Sequence, residues 1–253
     1  MLAEVLPVTI FSTMLIFARV GAMIMVLPGF GEPYVSPRVR LGIALALSIV
    51  LQPVLVATLP PIPEQPVSLL PLVAGEALIG IFIGGAARLL VTALHVAGIV
   101  ISFQASLGFA QFFDPAQGAQ GALLGSFLSI MGLVMIFMAD LHHMMMYAIS
   151  DSYVLFPAAT VPPMEDFAKT AAGWVANSFL IGVQISAPFI AYALVLYIGM
   201  GLVNRLMPQM QVFFIVMPLQ IMLAFVIMMM VLGASMMWFL DHFESGLAMF
   251  LVQ

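Results

Sequence analysis

The sequence predicts an all-α membrane protein of about six long, kinked hydrophobic helices arranged as hairpins. Of its 253 residues, 64% are hydrophobic and only 7% are charged, and the mean hydropathy is +1.22. Soluble domains are about 45–50% apolar and about 25% charged, so most of this chain must contact lipid or other protein. We therefore expect one integral-membrane unit over residues 1–253, without a soluble domain.

Six apolar stretches give the helices in order. They cover residues 8–27, 41–59, 69–103, 122–149, 174–203 and 212–240. A transmembrane helix needs about 20 apolar residues, so each stretch is long enough to span a bilayer. Clusters of proline and glycine separate several of the stretches, as is typical of loops. Pro53, Pro188 and Pro218 lie inside stretches, where proline removes a backbone hydrogen bond and should bend the helix.

Several stretches are longer than a bilayer requires. A helix over residues 69–103 would be about 52 Å long, whereas the hydrocarbon core of a bilayer is about 30 Å thick. Strong tilt, kinks, or helices that leave the membrane and pack on other proteins would each explain this length.

The distribution of charge limits the partners and suggests an orientation. The net charge is -5 and Lys169 is the only lysine, so a basic surface for nucleic acid is not expected. Arg38 and Arg40 lie in the first connection, and Arg205 lies in the fifth. By the positive-inside rule, the first, third and fifth connections are cytoplasmic, including the hairpin turn that contains Asn204 and Arg205.

Four ionisable residues interrupt the first and third apolar stretches: Arg19, Glu76, Arg88 and His95. An arginine at the centre of a lone helix costs about 2.5–3.5 kcal/mol on insertion scales, so these residues should face protein or water. Glu76 and Arg88 are 12 residues apart, which separates them by about 120° and about 18 Å on one helix. They are therefore not expected to pair directly with each other.

A polar face continues from Arg88 through Thr92 to His95, and in the other direction through Gly84 and Gly80. The spacing of the two glycines is a small-xxx-small pattern that lets another helix approach closely. Two interpretations follow: a polar track for protons or ions, or a buried packing seam with partners on neighbouring subunits. The scarcity of carboxylates favours the packing seam.

The segment MADLHHMMMY contains Asp140, His142 and His143 at an expected helix end. A closed metal site would need one more convergent ligand, and the spacing is not that of an HExxH site. Polar residues at a membrane boundary explain the segment without a metal. The 22 methionines suit copper(I), but adaptable packing explains them better.

Enzymatic motifs are missing from the sequence. It contains no GxxxxGK[ST] phosphate-binding loop, no GxSxG nucleophile elbow and no cysteine. We therefore expect neither catalytic residues nor a cofactor.

The third connection is unusual in composition. The segment SFQASLGFAQFFDPAQGAQGALLGSF, residues 102–127, contains one charge, Asp114, among glycines, glutamines and phenylalanines. A solvated loop would normally carry more charge, so this one should lie inside protein or line a cavity. Its composition alone leaves open a plug in a pore and a buried turn between helices.

The chain resembles the FliR family of flagellar biosynthetic proteins, a component of the type III export gate. The resemblance rests on FARVGAMIMVLPGFGEPYVSPRVRLGIALALS, GEALIGIFIGGAARLL, FQASLGFAQFFDP and APFIAYALVLYIGMGLVNRLMPQMQVFFIVMPLQI, in this order over nearly the whole chain. It implies a subunit that assembles with FliP, FliQ and FlhB inside the basal-body ring of the bacterial inner membrane. The complex would export unfolded substrates and would stand largely above the bilayer, which accounts for the overlong helices.

The same resemblance divides the chain. Residues 1–173 would form the N-terminal helices, with a plug loop at about 103–125, and residues 174–253 would form a hairpin similar to FliQ. The loop would close the pore, because an uncharged constriction opposes ion passage. The implied plug residues are Phe109, Gln111, Phe112, Phe113, Asp114, Gln117, Gly118, Gln120 and Gly121.

Alternatives to a gating subunit remain open at this point. One is a stand-alone secondary transporter or ion channel built around Arg19, Glu76, Arg88 and His95, since glycine- and proline-broken helices fit that class. Others are the homologous subunit of a virulence injectisome and an assembly subunit with no role in gating.

Overall fold

The computed structural model describes residues 2–109, 123–160, 164–209 and 211–252, and these residues form helices and connections without a strand. The helices are α1 (Leu2–Val26), α2 (Pro37–Leu55), α3 (Leu69–Gln104), α4 (Leu123–Met138), α5 (Leu141–Leu155), α6 (Met164–Leu206) and α7 (Val212–Ala248). Short 3-10 helices cover Val56–Thr58, Pro66–Ser68 and Leu107–Phe109. Within the described residues, five helices are long and apolar enough to cross a membrane, and α4 with α5 would make a sixth span. The predicted all-α membrane fold is confirmed.

The start of α2 lies four residues before the second apolar stretch. Ser36 is the N-cap, with its hydroxyl oxygen accepting the Val39 N–H at 3.4 Å, and Pro37 occupies the first turn, where its missing N–H has no consequence. The guanidinium of Arg40 folds back and donates to the carbonyl oxygens of Glu32 and Val35, each at 2.8 Å. Polar residues thus define this helix start.

The fourth apolar stretch is not one helix. It breaks after Met138 into α4 and α5, which meet at 77°. Asp140 lies at the break with φ 58°, a left-handed conformation that aspartate adopts more readily than most residues. The apolar stretch predicted over residues 122–149 is therefore occupied by two helices, because hydropathy does not report that the backbone turns left-handed at a single residue.

The last two helices extend beyond the apolar stretches that predicted them. Glu165 and Asp166 lie in the first turn of α6, where negative charge is stabilised by the helix dipole. Lys169 pairs with Glu165 one turn earlier at 2.7 Å. Helices α2, α6 and α7 continue through Pro53, Pro188 and Pro218.

The chain divides into two compact units. The first comprises Met1–Leu90, Ile136–Trp174 and Phe243–Gln253, and the second comprises Val91–Met135 and Val175–His242. Fully buried side chains of the first unit include Leu15, Ile16, Val20, Met23, Ile24, Ile79, Ile83 and Met145. The second unit buries Leu94, Ala97, Ile101, Leu128, Ile185, Phe189 and Phe239.

Candidate functional site

A buried ion pair lies in the first unit between α1 and α3. The Nε of Arg19 is 2.6 Å from Oε2 of Glu76, and the two side chains are 0% and 1% exposed. The Nη1 of Arg19 also donates to the carbonyl oxygen of Ser152 at 2.9 Å and to its hydroxyl at 3.3 Å. One guanidinium therefore ties α1 to α3 and α5.

The surroundings of this pair are also polar. The guanidinium carbon of Arg19 lies 3.9 Å from the centroid of the Tyr153 ring, a cation–π contact. The second carboxylate oxygen of Glu76, Oε1, accepts the N–H of Ala159 at 3.3 Å, and Ala159 has a left-handed φ of 64°. Among the described residues, Arg19 Nη2 and the Tyr153 hydroxyl have no hydrogen-bond partner. Glu76 thus joins α1 to the connection that follows α5.

The two glycines of the small-xxx-small pattern lie where α3 passes α1. A Cβ placed on Gly80 would collide with the carbonyl oxygen of Arg19, and one on Gly84 would lie 2.8 Å from the carbonyl oxygen of Met23. Only glycine fits this close approach of the two backbones. The approach also places Arg19 beside the turn of α3 that carries Glu76.

Arg88 has a different environment from Arg19. Its Nη2 lies 3.8 Å from Oε1 of Glu32, with the side chains 45% and 23% exposed, and its Nη1 donates to the Val26 carbonyl oxygen at 3.4 Å. Partial burial and the neighbouring Glu32 carboxylate raise the pKa of the Tyr34 phenol above its usual value. The 3.8 Å contact between Arg88 and Glu32 joins α3 to the connection that follows α1.

His95 belongs to the second unit. A Cβ on Gly125 of α4 would lie 3.0 Å from its Nδ1, so α4 passes close to this histidine. Of the four ionisable residues in the first and third apolar stretches, the structure brings Arg19 and Glu76 into direct contact. Arg88 and His95 have separate surroundings.

The hairpin turn predicted around residue 205 is partly described. Asn204 and Arg205 lie in the last turn of α6 and are both exposed. A cation at this end of a helix is favoured by the helix dipole. Helix α7 begins at Val212, and Met210 lies outside the described residues.

The predicted plug lies outside the described residues. This applies to Gln111, Phe112, Phe113, Asp114, Gln117, Gly118, Gln120 and Gly121, and to the side chain of Phe109.

The chain entering this segment is held by a polar cluster in the second unit. The carbonyl oxygen of Gln104, the last residue of α3, accepts the side-chain amide of Gln220 at 2.6 Å. The Tyr192 hydroxyl lies 3.1 Å from the same oxygen and 3.0 Å from the carbonyl oxygen of Gln220. Sequence reasoning missed Gln220 and Tyr192, although a glutamine inside an apolar stretch is a detectable signal.

The chain leaving the segment makes a close backbone contact. A Cβ on Gly98 of α3 would collide with the backbone of Gly125 in α4. The two helices that flank the segment are therefore nearly in backbone contact at this crossing.

Comparison with known proteins gives a match over almost the whole chain. The family described as bacterial export proteins, family 1, matches residues 10–246. The flagellar biosynthetic protein FliR of Caulobacter vibrioides is 39% identical over 242 residues, which cover 95% of this chain and 96% of that protein. The protein of the same name from Bacillus subtilis is 30% identical, covering 85% of this chain and 83% of that protein.

A secretion protein from another bacterium is also similar. The Yop proteins translocation protein T of Yersinia pestis is 24% identical and covers 87% of this chain and 85% of that protein. The family match and the higher identity to the flagellar proteins agree with the resemblance found in the sequence. The chain belongs to family 1 of the bacterial export proteins and, within it, to the FliR family.

Proposed function

We propose that the chain is a component of the flagellar type III protein export gate in the bacterial inner membrane and is required for assembly of the flagellum. The observation that carries this proposal is the 39% identity to a flagellar biosynthetic protein over 95% of the chain. Helices long enough to cross a membrane support a multi-pass location.

The chain forms the pore together with FliP-like and FliQ-like subunits, joined by an FlhB-like subunit within the basal-body ring. The lengths of α6 and α7 support such an assembly: 43 and 37 residues correspond to about 65 Å and about 56 Å, roughly twice a bilayer core. The apolar surfaces that extend beyond the bilayer must be buried against other subunits. Met229 and Met230 of α7 are 80% and 77% exposed, and methionine suits contacts with varied partners.

The segment at residues 103–125, whose one charged residue is Asp114, closes the pore when no substrate passes. A channel that admits an unfolded polypeptide must not leak ions at rest, and an uncharged constriction raises the barrier to ions. The polar cluster of Gln104, Tyr192 and Gln220 supports this role, because a plug needs a fixed base. Phe109, Phe112 and Phe113 pack the closed gate, while the glycines and glutamines around them permit opening.

The first test is the composition of the particle that contains this chain. The chain is expressed together with the other membrane proteins of its gene neighbourhood, extracted in mild detergent and weighed by native mass spectrometry. We expect a large complex with several copies each of two smaller membrane proteins. A stable lone monomer or simple homodimer would overturn the export-gate assignment.

The second test addresses the plug. Deletion of residues 111–120, or alanine at Phe112 and Phe113, should raise ion leakage in cells while the complex still assembles. Phe179, an exposed phenylalanine on α6 outside this segment, provides the control, since Phe179→Ala should leave conductance unchanged. Unchanged conductance after the deletion would remove the gating role, and loss of the complex would assign the segment to assembly.

A virulence injectisome is a second candidate system, favoured by the similarity to the Yersinia translocation protein. Deleting the gene in the source bacterium distinguishes the two systems. Loss of flagella with normal secretion of other proteins supports the flagellar assignment, whereas normal flagella with lost secretion supports the injectisome.

A further inference from the structure

The corner between α4 and α5 brings together three side chains that can bind a metal ion. Asp140, His142 and His143 each offer one ligand atom, and these atoms lie within 4.8 Å of one another. Among the residues that the structure describes, this is the one such group of three or more. It shares no residue with the Arg19–Glu76 pair or with the polar cluster at Gln104.

The backbone of the corner explains why the three ligand atoms converge. Successive residues of a helix point about 100° apart, so on a plain helix Asp140 and His143 would lie about 60° apart on one side, whereas His142 would lie about 160° from Asp140. The left-handed conformation of Asp140, at φ 58°, turns the chain immediately before α5. Its Oδ1 then lies 3.8 Å from the Nδ1 of His143. A small rotation of either side chain would place both atoms at the separation found around one metal ion.

A second observation concerns His142. Its ring stacks on Phe137 at 5.0 Å between centroids and lies 4.2 Å from the ring of His143. Its Nδ1 is buried and has no hydrogen-bond partner among the described residues. A buried polar atom without a partner is unfavourable, and a metal ion or a metal-bound water would supply one.

The exposure of the other two ligands determines what kind of site this is. Asp140 and His143 are 76% and 61% exposed, so one side of the group is open to water. The demand for a fourth protein ligand applies to closed structural sites, whereas open sites combine three protein ligands with water. Two imidazoles and a carboxylate suit zinc and similar transition-metal ions better than magnesium or calcium.

We propose that Asp140, His142 and His143 bind one zinc ion, whose remaining position is filled by water. The aspartate carries the compensating negative charge, and the two histidines provide nitrogen ligands. Binding connects the last residue before α5 to the first turn of that helix, and it therefore fixes the left-handed residue at which α5 begins. The site goes beyond the export function and does not depend on it.

The test uses the full-length chain, carrying a tag without histidines and extracted in mild detergent with its co-purifying subunits. Zinc is titrated against a chromogenic chelator, and bound zinc is counted per chain after dialysis. We expect one zinc per chain. Changes that merely disturb the support of a metal ligand weaken binding about 10- to 100-fold, so Asp140→Asn and His143→Asn should weaken it by at least about tenfold.

Matched controls come from the two remaining histidines. His95→Asn and His242→Asn should bind zinc as the unmodified chain does. Asparagine also tolerates the left-handed conformation of residue 140, so Asp140→Asn should fold even if His142→Asn does not. Absence of bound zinc in the unmodified chain would overturn the proposal. So would a zinc affinity in Asp140→Asn and His143→Asn that equals that of the unmodified chain.

Discussion

Replacing Glu76 with glutamine should destabilise the chain strongly, because it leaves the charge of Arg19 buried without its partner. The substitution keeps the size of the side chain and an oxygen that can accept the Ala159 N–H, so the lost negative charge is the main change. Both members of the pair are almost completely buried, which prevents water from taking over the role of the carboxylate.

The expected magnitude follows from the distance and the burial. Charges about 4 Å apart interact by about 4 kcal/mol at an effective dielectric constant of about 20. Removing one member of a buried pair typically costs about 3–5 kcal/mol of folding free energy. For chains of this size, about 2–4 °C of melting temperature corresponds to 1 kcal/mol, so the expected decrease is roughly 6–20 °C.

The assay is thermal unfolding of the detergent-solubilised complex, followed by intrinsic fluorescence. Glu32→Gln is the matched control, because the contact between Glu32 and Arg88 spans 3.8 Å and is partly exposed. Such pairs are worth about 0–1 kcal/mol, so the control should lower the melting temperature by at most about 4 °C. The double change Arg19→Met with Glu76→Gln should be milder than Glu76→Gln alone, because no buried charge remains.

Two outcomes would refute this reasoning. If Glu76→Gln and Glu32→Gln have the same melting temperature, burial does not increase the contribution of the Arg19–Glu76 pair to stability. A double variant less stable than Glu76→Gln would show that Arg19 stabilises the fold mainly through Ser152 and Tyr153.

Two further predictions concern the close approach of α3 to α1 and the polar cluster at Gln104. Gly80→Ala should lower the yield of folded protein, because the new Cβ would collide with the Arg19 carbonyl oxygen; Gly85→Ala, where a Cβ meets nothing within 4 Å, should be neutral or stabilising by up to about 1 kcal/mol. Equal yields of the two variants would contradict the close helix approach. Gln220→Leu removes the amide donor from the Gln104 carbonyl oxygen and should raise ion leakage while the complex still assembles, as measured by conductance in cells. Normal conductance would show that the contact between Gln220 and Gln104 has no role in gating.

The helices were largely predictable because their signal is local. A run of apolar residues must satisfy its backbone hydrogen bonds within the membrane, and the helix is the solution available to a single segment. The apolar pattern predicts the start of α6 ten residues late, at residue 174 instead of Met164, because Glu165 and Asp166 lower the local hydropathy while favouring a helix N-terminus. The break at Asp140 depends on one backbone conformation that hydropathy does not report.

The contacts of the buried site were less predictable than its members. Arg19 and Glu76 were both singled out as needing partners, but they lie 57 residues apart, and no periodicity connects two separate helices. A packing seam predicts partners on neighbouring subunits, whereas the structure pairs these two residues within one chain. The spacing of Gly80 and Gly84 predicts that another helix approaches α3 closely, but it does not identify which helix that is.

The Arg19–Glu76 pair also has a consequence for the order in which the chain is made. Translation delivers Arg19 to the membrane 57 residues before Glu76 and 133 residues before Ser152. At about 5–20 residues per second, α1 waits about 3–11 s for its carboxylate. During this interval an unneutralised arginine opposes insertion by about 2.5–3.5 kcal/mol. Arg19 therefore remains without its carboxylate partner until the third helix has been synthesised, and only then is this cost removed.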